Sequence, residues 1–278
     1  MEQSVVDRII KNALSEDVGH GDVTAESCVP CDVQAKGVFT AKEAGIVCGL
    51  NVAARVFELA GAGLAFKPLV SDGDEVRVGD IIASVEGNAR AVLKAERVSL
   101  NLLQRMSGIA TRTRQSVLAV ADSRAKIADT RKTTPGLRVL EKYAVRVGGG
   151  TNHRFNLADG VLIKDNHIVA AGGIAAAVKA AKASIPHTLK IEVETSDLDE
   201  VRQALEAGAD IIMLDNMTPA QMREAVELIN GAALTEASGN MGDKNLAEVA
   251  ATGVDIISIG ALTHSVRALD ISLRFTLI

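Results

Sequence analysis

From Ala125 onward the chain repeats one pattern: a short β-branched or Leu-rich run, a polar or small residue at its end, then a helix-like stretch. The runs are Lys126 to Ala128, Val161 to Ile163, Leu189 to Val193, Ile211 to Leu214, Ala232 to Thr235, and Ile256 to Ile259. Lys164, Glu194, Asp215, Glu236 and Gly260 close the last five, at separations of 30, 21, 21 and 24 positions. That is the spacing of successive βα units in a parallel sheet. Helix starts fall between the runs. Thr218-Pro219-Ala220-Gln221 combines an N-cap, Pro at the first helical position and a Gln able to close a capping box, and Ser196 to Asp199 is a similar start. Such alternation builds an open doubly wound sheet or a barrel, and either collects ligands at the C-terminal ends of its strands. About 150 residues remain for this part, against roughly 250 for a full eight-unit barrel, so the expectation is an incomplete α/β barrel.

The first hundred residues read differently. An amphipathic helix from Ser4 to about Ser15 precedes β-like runs at Gln34 to Thr40, Ala65 to Val70 and Ile81 to Glu86, punctuated by Gly and Asp. This predicts an α+β open-sandwich domain over 1–107, a barrel domain over 108–267, and a C-terminal segment, 268–278, that rejoins the first. The turn-rich segment Ser71 to Asp80 looks like the half-barrel hairpins of biotinyl and lipoyl carriers. A carrier presents a lysine on an exposed turn, and none occurs from Val70 to Val92. The segment therefore reads as scaffold, and a non-enzymatic lipoyl-like binding module fused to a barrel is disfavoured.

Composition narrows the function. Aromatic residues are 2% with no Trp, which removes the stacking platforms of single-stranded nucleic-acid binders. No run approaches the ~18 apolar residues of a membrane span, and Met1 to Asn12 mixes Glu2, Asp7, Arg8 and Lys11, so the expected location is the cytoplasm. Cys28, Cys31 and Cys48 are an odd set, and the Cys28/Cys31 pair flanks Pro30 in a polar connection without the further ligands of a zinc site. The net charge is −5, yet Asp129 to Lys164 holds seven Lys or Arg against three acids, so that stretch is +4 and the remainder −9. A basic island in an acidic protein suits a small polyanion held in a pocket.

Three charges, Lys164, Glu194 and Asp215, stand at equivalent strand ends, where they face one another across the barrel mouth. Any one alone reads as an ordinary solvated loop charge. Two carboxylates with open space between them can hold Mg²⁺, which takes a few oxygen ligands plus substrate phosphates. Arg131 and Lys132 follow the first run, Pro135 and Gly136 force a turn before a helix over Leu137 to Val147, and Gly148 to Gly150 break that helix ahead of Asn152-His153-Arg154. The guanidinium fork of Arg131 and Arg154 suits planar carboxylates, the plainer alternative being a surface salt-bridge network. Neither a P-loop nor a dinucleotide fingerprint is present. Ser238-Gly239-Asn240 and Gly260 to His264 follow the last two runs, and their small residues let backbone N–H groups approach an anion, though helix capping alone explains either one. His20 and His187 lack partner motifs.

The strings Glu96-Arg97, Ser107 to Thr111, Asp129 to Thr133, Pro135 to Leu137, Lys142 to Ala144, Gly148 to Gly150, Asn152 to Arg154, Leu162 to His167, Leu214 to Asn216 and Gly260 to His264 together closely resemble the quinolinate phosphoribosyltransferases. The resemblance runs in order from Glu16-Asp17 to the C-terminus. It implies the open sandwich and incomplete barrel, phosphoribosyl transfer from 5-phosphoribosyl 1-pyrophosphate to quinolinate with decarboxylation, and a homodimer whose site borrows an arginine, matched by Arg97, from the neighbouring subunit. By the same resemblance Arg131, His153, Arg154 and the borrowed Arg97 hold the carboxylates of quinolinate, while Lys132 and Lys164 serve the substrate anions. It likewise assigns Mg²⁺ and the ribose to Glu194 and Asp215, and the 5′-phosphate to Ser238, Gly239, Gly260 and His264. Two departures from the family pattern are Val147 in place of Cys before the Gly triplet and Asn240-Met241 in the phosphate loop. The competing enzyme reading is a paralogue acting on another acceptor, such as nicotinate.

Overall fold

The computed structural model describes residues 1–278. In chain order its elements are α1 Gln3–Val18, α2 Val23–Cys28, β1 Gln34–Ala41, β2 Gly45–Ile46, α3 Leu50–Ala60, β3 Ala65–Pro68, β4 Glu75–Val76, β5 Ile81–Asn88, α4 Ala89–Leu118, β6 Lys126–Ala128, α5 Arg138–Val147 and β7 Val161–Ile163. They continue as α6 Asp165–Ala171, α7 Ile174–Ser184, β8 Ile191–Thr195, α8 Leu198–Ala207, β9 Ile211–Asp215, α9 Pro219–Ile229, β10 Leu234–Ser238, α10 Leu246–Ala250, β11 Ile256–Ser258, α11 Ala261–His264 and β12 Ile271–Leu277. Two compact units form: residues 1–114 with 134–149 and 266–278, and residues 115–133 with 150–265.

The first unit is built on an antiparallel sheet in the order β12-β1-β5-β3. Alternate residues of β1, from Ala35 to Ala41, are buried, so one face of the sheet supplies the core and the other faces outward. Phe39, Phe57 and Phe66 meet there at ring-centroid distances of 5.7 to 6.0 Å. The chain's last strand returns to this sheet, with Ile271 opposite Ala41 and Leu277 opposite Ala35. The turn-rich segment that resembles a carrier hairpin works as scaffold. Asp72 Oδ1 accepts the N–H groups of Gly49 and Leu50 at the start of α3, and Oδ2 accepts the Tyr143 hydroxyl.

The second unit is a six-stranded parallel sheet, β6-β11-β10-β9-β8-β7, flanked by helices α6 to α11. A single parallel bridge joins Ala128 to Thr151, and no ladder joins β6 to β7, so the ring stays open at that seam. This is the incomplete α/β barrel that the repeat predicts. Its strands are buried nearly throughout, Ile191-Glu192-Val193 for example, because helices cover one face and the barrel interior the other. The predicted helix starts form: Thr218 and Gln221 close a reciprocal capping box, and the Asp197 carboxylate accepts the N–H groups of Asp199 and Glu200.

Two strands begin later than the apolar runs suggest. Leu189 is still in a turn, its N–H donating to Pro186 O, so β8 starts at Ile191. Asn230 and Gly231 take left-handed conformations (φ 44° and 77°), and the Ala232 N–H donates to Ile229 O, so the backbone becomes extended only at Leu234. The second delay changes the site. Ser238, not Glu236, is the partner of Asp215 in the ladder, and Glu236 pairs with Met213 one pleat deeper.

Candidate active site

Because side chains alternate along a strand, every second residue of the barrel strands points inward. The inward set reads Leu162 and Lys164 at β7, Glu192 and Glu194 on β8, Met213 and Asp215 on β9, Glu236 and Ser238 on β10, and Ser258 on β11. All but Glu192 line one cavity of about 480 Å³ at the C-terminal ends of the strands, where Thr130, Arg131, Lys132, His153 and Arg154 complete the wall. Glu192 lines a second, smaller space of about 240 Å³ that shares His153, Arg154 and Glu236 with the first.

The cationic wall is held by buried polar anchors. Asp129, fully buried at the end of β6, accepts the His153 backbone N–H at 2.8 Å and the Asn152 side-chain amide at 2.7 Å. That fastens the loop after the Gly triplet to the barrel. Arg154 is oriented by a 2.9 Å bond from Nη1 to Gly160 O. Burial, and then the neighbouring Arg131 charge, lower its pKa, with Glu192 and Asp159 opposing the shift. Two guanidinium groups that disfavour each other in a half-buried place make a strong site for a compact anion. Lys132 is set by a bond from its N–H to Thr130 Oγ1 at 3.0 Å and another from Thr263 Oγ1 to its carbonyl at 2.8 Å.

Opposite stand the acids. Lys164 Nζ lies 2.6 Å from Glu194 Oε2, and Asp215 Oδ2 accepts the Asn216 side-chain amide at 2.7 Å. Glu194 and Asp215 come from adjoining parallel strands, are partly exposed, and present only carboxylate oxygens, the donor set a hard divalent cation takes alongside substrate phosphates.

Beyond Asp215 the wall is backbone. Asn216, Gly239 and Asn240 have φ of 55°, 87° and 53°. A Cβ on Gly239 would stand 2.3 Å from Asn216 Oδ1 and 2.7 Å from its backbone N, so only glycine fits. Gly260 is similarly tight, a Cβ there meeting Lys132 Cδ at 3.0 Å.

Nine of the twelve expected site residues therefore line the cavity: Arg131, Lys132, His153, Arg154, Lys164, Glu194, Asp215, Ser238 and Gly239. Gly260 abuts Lys132 from behind, and His264 is exposed with its Nδ1 2.6 Å from Ser265 Oγ. Arg97 is exposed on α4, in the first unit. The basic island divides: Arg131, Lys132, Arg154 and Lys164 line the cavity, whereas Arg138, Lys142 and Arg146 belong to α5 of the first unit, where Glu141 takes Arg105 at 2.5 Å. Sequence reasoning passed over Asp129, Glu192, Asn216 and Glu236 as working residues. Glu192 had a usable signal, since a residue two before Glu194 in a strand must share its face.

Residues 109–274 match the family Quinolinate phosphoribosyl transferase, C-terminal domain, and residues 22–107 match the corresponding N-terminal domain. The chain is 46% identical to a probable nicotinate-nucleotide pyrophosphorylase [carboxylating] of Bacillus subtilis, covering 97% of this chain and 93% of that protein. It is 47% identical to the Arabidopsis thaliana chloroplastic enzyme of that name, covering 96% and 81%. Among solved structures, the nicotinate-nucleotide pyrophosphorylase from Francisella tularensis superposes with a TM-score of 0.95 at 40% identity, covering 99% of this chain and 98% of that one. NadC from Streptococcus pyogenes gives 0.94 at 43%, covering 100% and 99%. With both domain families matched in order over nearly the whole chain, and the cationic cavity standing where the barrel strands end, this protein is a member of the quinolinate phosphoribosyltransferase family.

Proposed function

We propose that this enzyme transfers the phosphoribosyl group of 5-phosphoribosyl 1-pyrophosphate to quinolinate and decarboxylates the product to nicotinate mononucleotide, a step of NAD biosynthesis. One observation carries the reading: a single cavity gathers Arg131, Lys132, Arg154 and Lys164 against Glu194 and Asp215. A diacid and a sugar pyrophosphate need opposed cationic and acidic walls of this kind.

Arg131 and Arg154, with His153 beside them, take the two carboxylates, and an Arg97 from a neighbouring subunit completes the grip in a homodimer or a larger assembly. The exposure of Arg97 on α4 leaves it available for that role. Ser238, Gly239, Gly260 and His264 take the 5′-phosphate. The pyridine nitrogen attacks ribose C1 as the C1–oxygen bond to pyrophosphate breaks. Glu194 and Asp215 stabilise the positive charge that develops on the ribose, while Lys132 and Lys164 offset the charge gathering on the departing pyrophosphate. No covalent enzyme intermediate is required. Glu194 and Asp215 would also hold Mg²⁺, whose contribution when bound with the pyrophosphate is charge neutralisation. Once ribosylated, the ring nitrogen is cationic and acts as the electron sink: the bond from C2 to its carboxylate breaks, CO₂ leaves, and a proton takes its place.

A nicotinate-specific paralogue is the second reading, and the paired guanidinium groups oppose it because a monoacid satisfies only one. A cytoplasmic location belongs to the proposal. Cys28, Cys31 and Cys48 are all free thiols, as suits a reducing compartment, and no helix is long and apolar enough to cross a membrane. The test is one assay: pyrophosphate and CO₂ released in equal amounts from quinolinate, phosphoribosyl pyrophosphate and Mg²⁺. Release of neither product by the folded protein would overturn the reading.

A further inference from the structure

We propose that His153 serves this cavity as a neutral imidazole, locked in its Nε2–H form between the Arg154 amide and Glu192, and that Glu192 is thereby a positioning residue for Arg154. The inference rests on the reading that the cavity takes a diacid, and it deepens that reading by saying which groups supply the charge.

The Arg154 backbone N–H points at His153 Nδ1 from 2.8 Å. An amide N–H can only donate, so Nδ1 offers its lone pair and carries no proton. The single proton of a neutral ring then sits on Nε2, which lies 3.1 Å from Glu192 Oε2 and 3.6 Å from Glu236 Oε1. An imidazolium would set a second N–H against the Arg154 amide and lose that bond.

The carboxylates around the ring are buried. Glu192 and Glu236 are 3% and 1% exposed, and their Oε1 atoms accept no hydrogen bond. Burial, with the Glu192 charge next, pushes Glu236 up to about 7.

His153, Glu192 and Glu236 also place one ligand atom each within 4.8 Å of one another, as a metal site would. A metal-bound imidazole gives up its proton at the ligating nitrogen and donates through the other. Here the other nitrogen faces a donor, so the cluster is built to hold protons. The loop is consequently tied twice: Asp129 holds it by its backbone and Asn152, and Glu192 holds it by the imidazole. Arg154, between these ties and Gly160, is the group they position.

Long-range ¹H–¹⁵N spectra of the histidine-labelled full-length enzyme at pH 7, with His153→Asn to identify the signals, should give the Nε2–H tautomer pattern. In turnover, Glu192→Leu should raise the KM for quinolinate about tenfold or more while the KM for phosphoribosyl pyrophosphate changes less than about threefold. Glu192→Gln, whose amide oxygen accepts the same N–H, should recover most of that loss. An imidazolium pattern at pH 7, or a Gln variant as impaired as the Leu variant, would overturn the proposal. Should the Leu variant fail to fold, the wild-type spectrum decides alone. Absent quinolinate turnover by the wild type would instead sink the diacid reading, and the tautomer would still be read from the spectrum.

Discussion

Lys164 Nζ, at the end of β7, stands 2.6 Å from Glu194 Oε2 on the adjoining strand β8. Their side chains are 44% and 19% exposed, so the pair contributes under about 1 kcal/mol to stability. Its value is positional. Lys164→Met should therefore lower kcat by roughly a hundredfold while moving Tm by less than about 3 °C. Calorimetry beside steady-state kinetics checks this, and parallel losses of Tm and kcat would make the pair structural.

Burial, and then the Arg131 charge, lower the pKa of Arg154, which a dianion relieves and a monoanion relieves only in part. Nicotinate should be a poor substrate, with kcat/KM at least about a hundredfold below that of quinolinate, because a buried charge deprived of its partner costs about 3 to 5 kcal/mol. Arg131→Lys, which keeps the charge and loses the fork, should depress quinolinate turnover far more than thermal stability. Comparable turnover of the two acids would refute the first expectation.

Gly239 has φ 87° and no room for a Cβ beside Asn216. Gly239→Ala should push this loop outward and, if the loop takes the 5′-phosphate as proposed, raise the KM for phosphoribosyl pyrophosphate about tenfold or more, with a smaller effect on quinolinate. Measuring both KM values separates a loop defect from a general one.

Glu236 is raised from 4.5 to about 7, by burial first and then by Glu192. The folded state thus holds this proton more tightly than the unfolded chain, and stability is lost as pH rises from about 4.5 to about 7. Glu236→Gln cannot ionise and escapes that loss. Its Tm relative to wild type should rise by several degrees between pH 5 and pH 8. A difference that is flat or falls with pH contradicts the assignment.

Arg97 is exposed on α4, and the reading of a shared site has it act in a neighbouring subunit. An equimolar mixture of Arg97→Ala and Arg154→Ala should recover toward a quarter of wild-type activity, since about half of its dimers are hybrids and each hybrid carries one intact site of two. Verified subunit exchange without recovery would place both groups in the same subunit.

How much of this could be read without coordinates follows from the range of each interaction. Strand and helix identity in the barrel rests on local signals, such as apolar runs, N-caps at Thr218 and Asp197, and the Pro219 start, so the repeating βα units were visible in the residues themselves. So was the rim, because a charge directly after an apolar strand in a parallel sheet has nowhere else to stand: Lys164, Glu194 and Asp215 needed no neighbour to be placed. Ladder register is different. It depends on how many residues the preceding helix cap consumes, and the left-handed Asn230 and Gly231 shifted β10 by two positions, moving Glu236 from the rim into the barrel. The division of the basic stretch also lay beyond local reading, since α5, which carries Lys142, belongs to the first unit while Arg154 belongs to the second. The sequence by itself determined the parallel barrel and the chemistry of its rim. Only the tertiary structure decided the cluster of His153, Glu192 and Glu236, because side chains from three separate segments have no joint signature until their backbones bring them within a few ångströms.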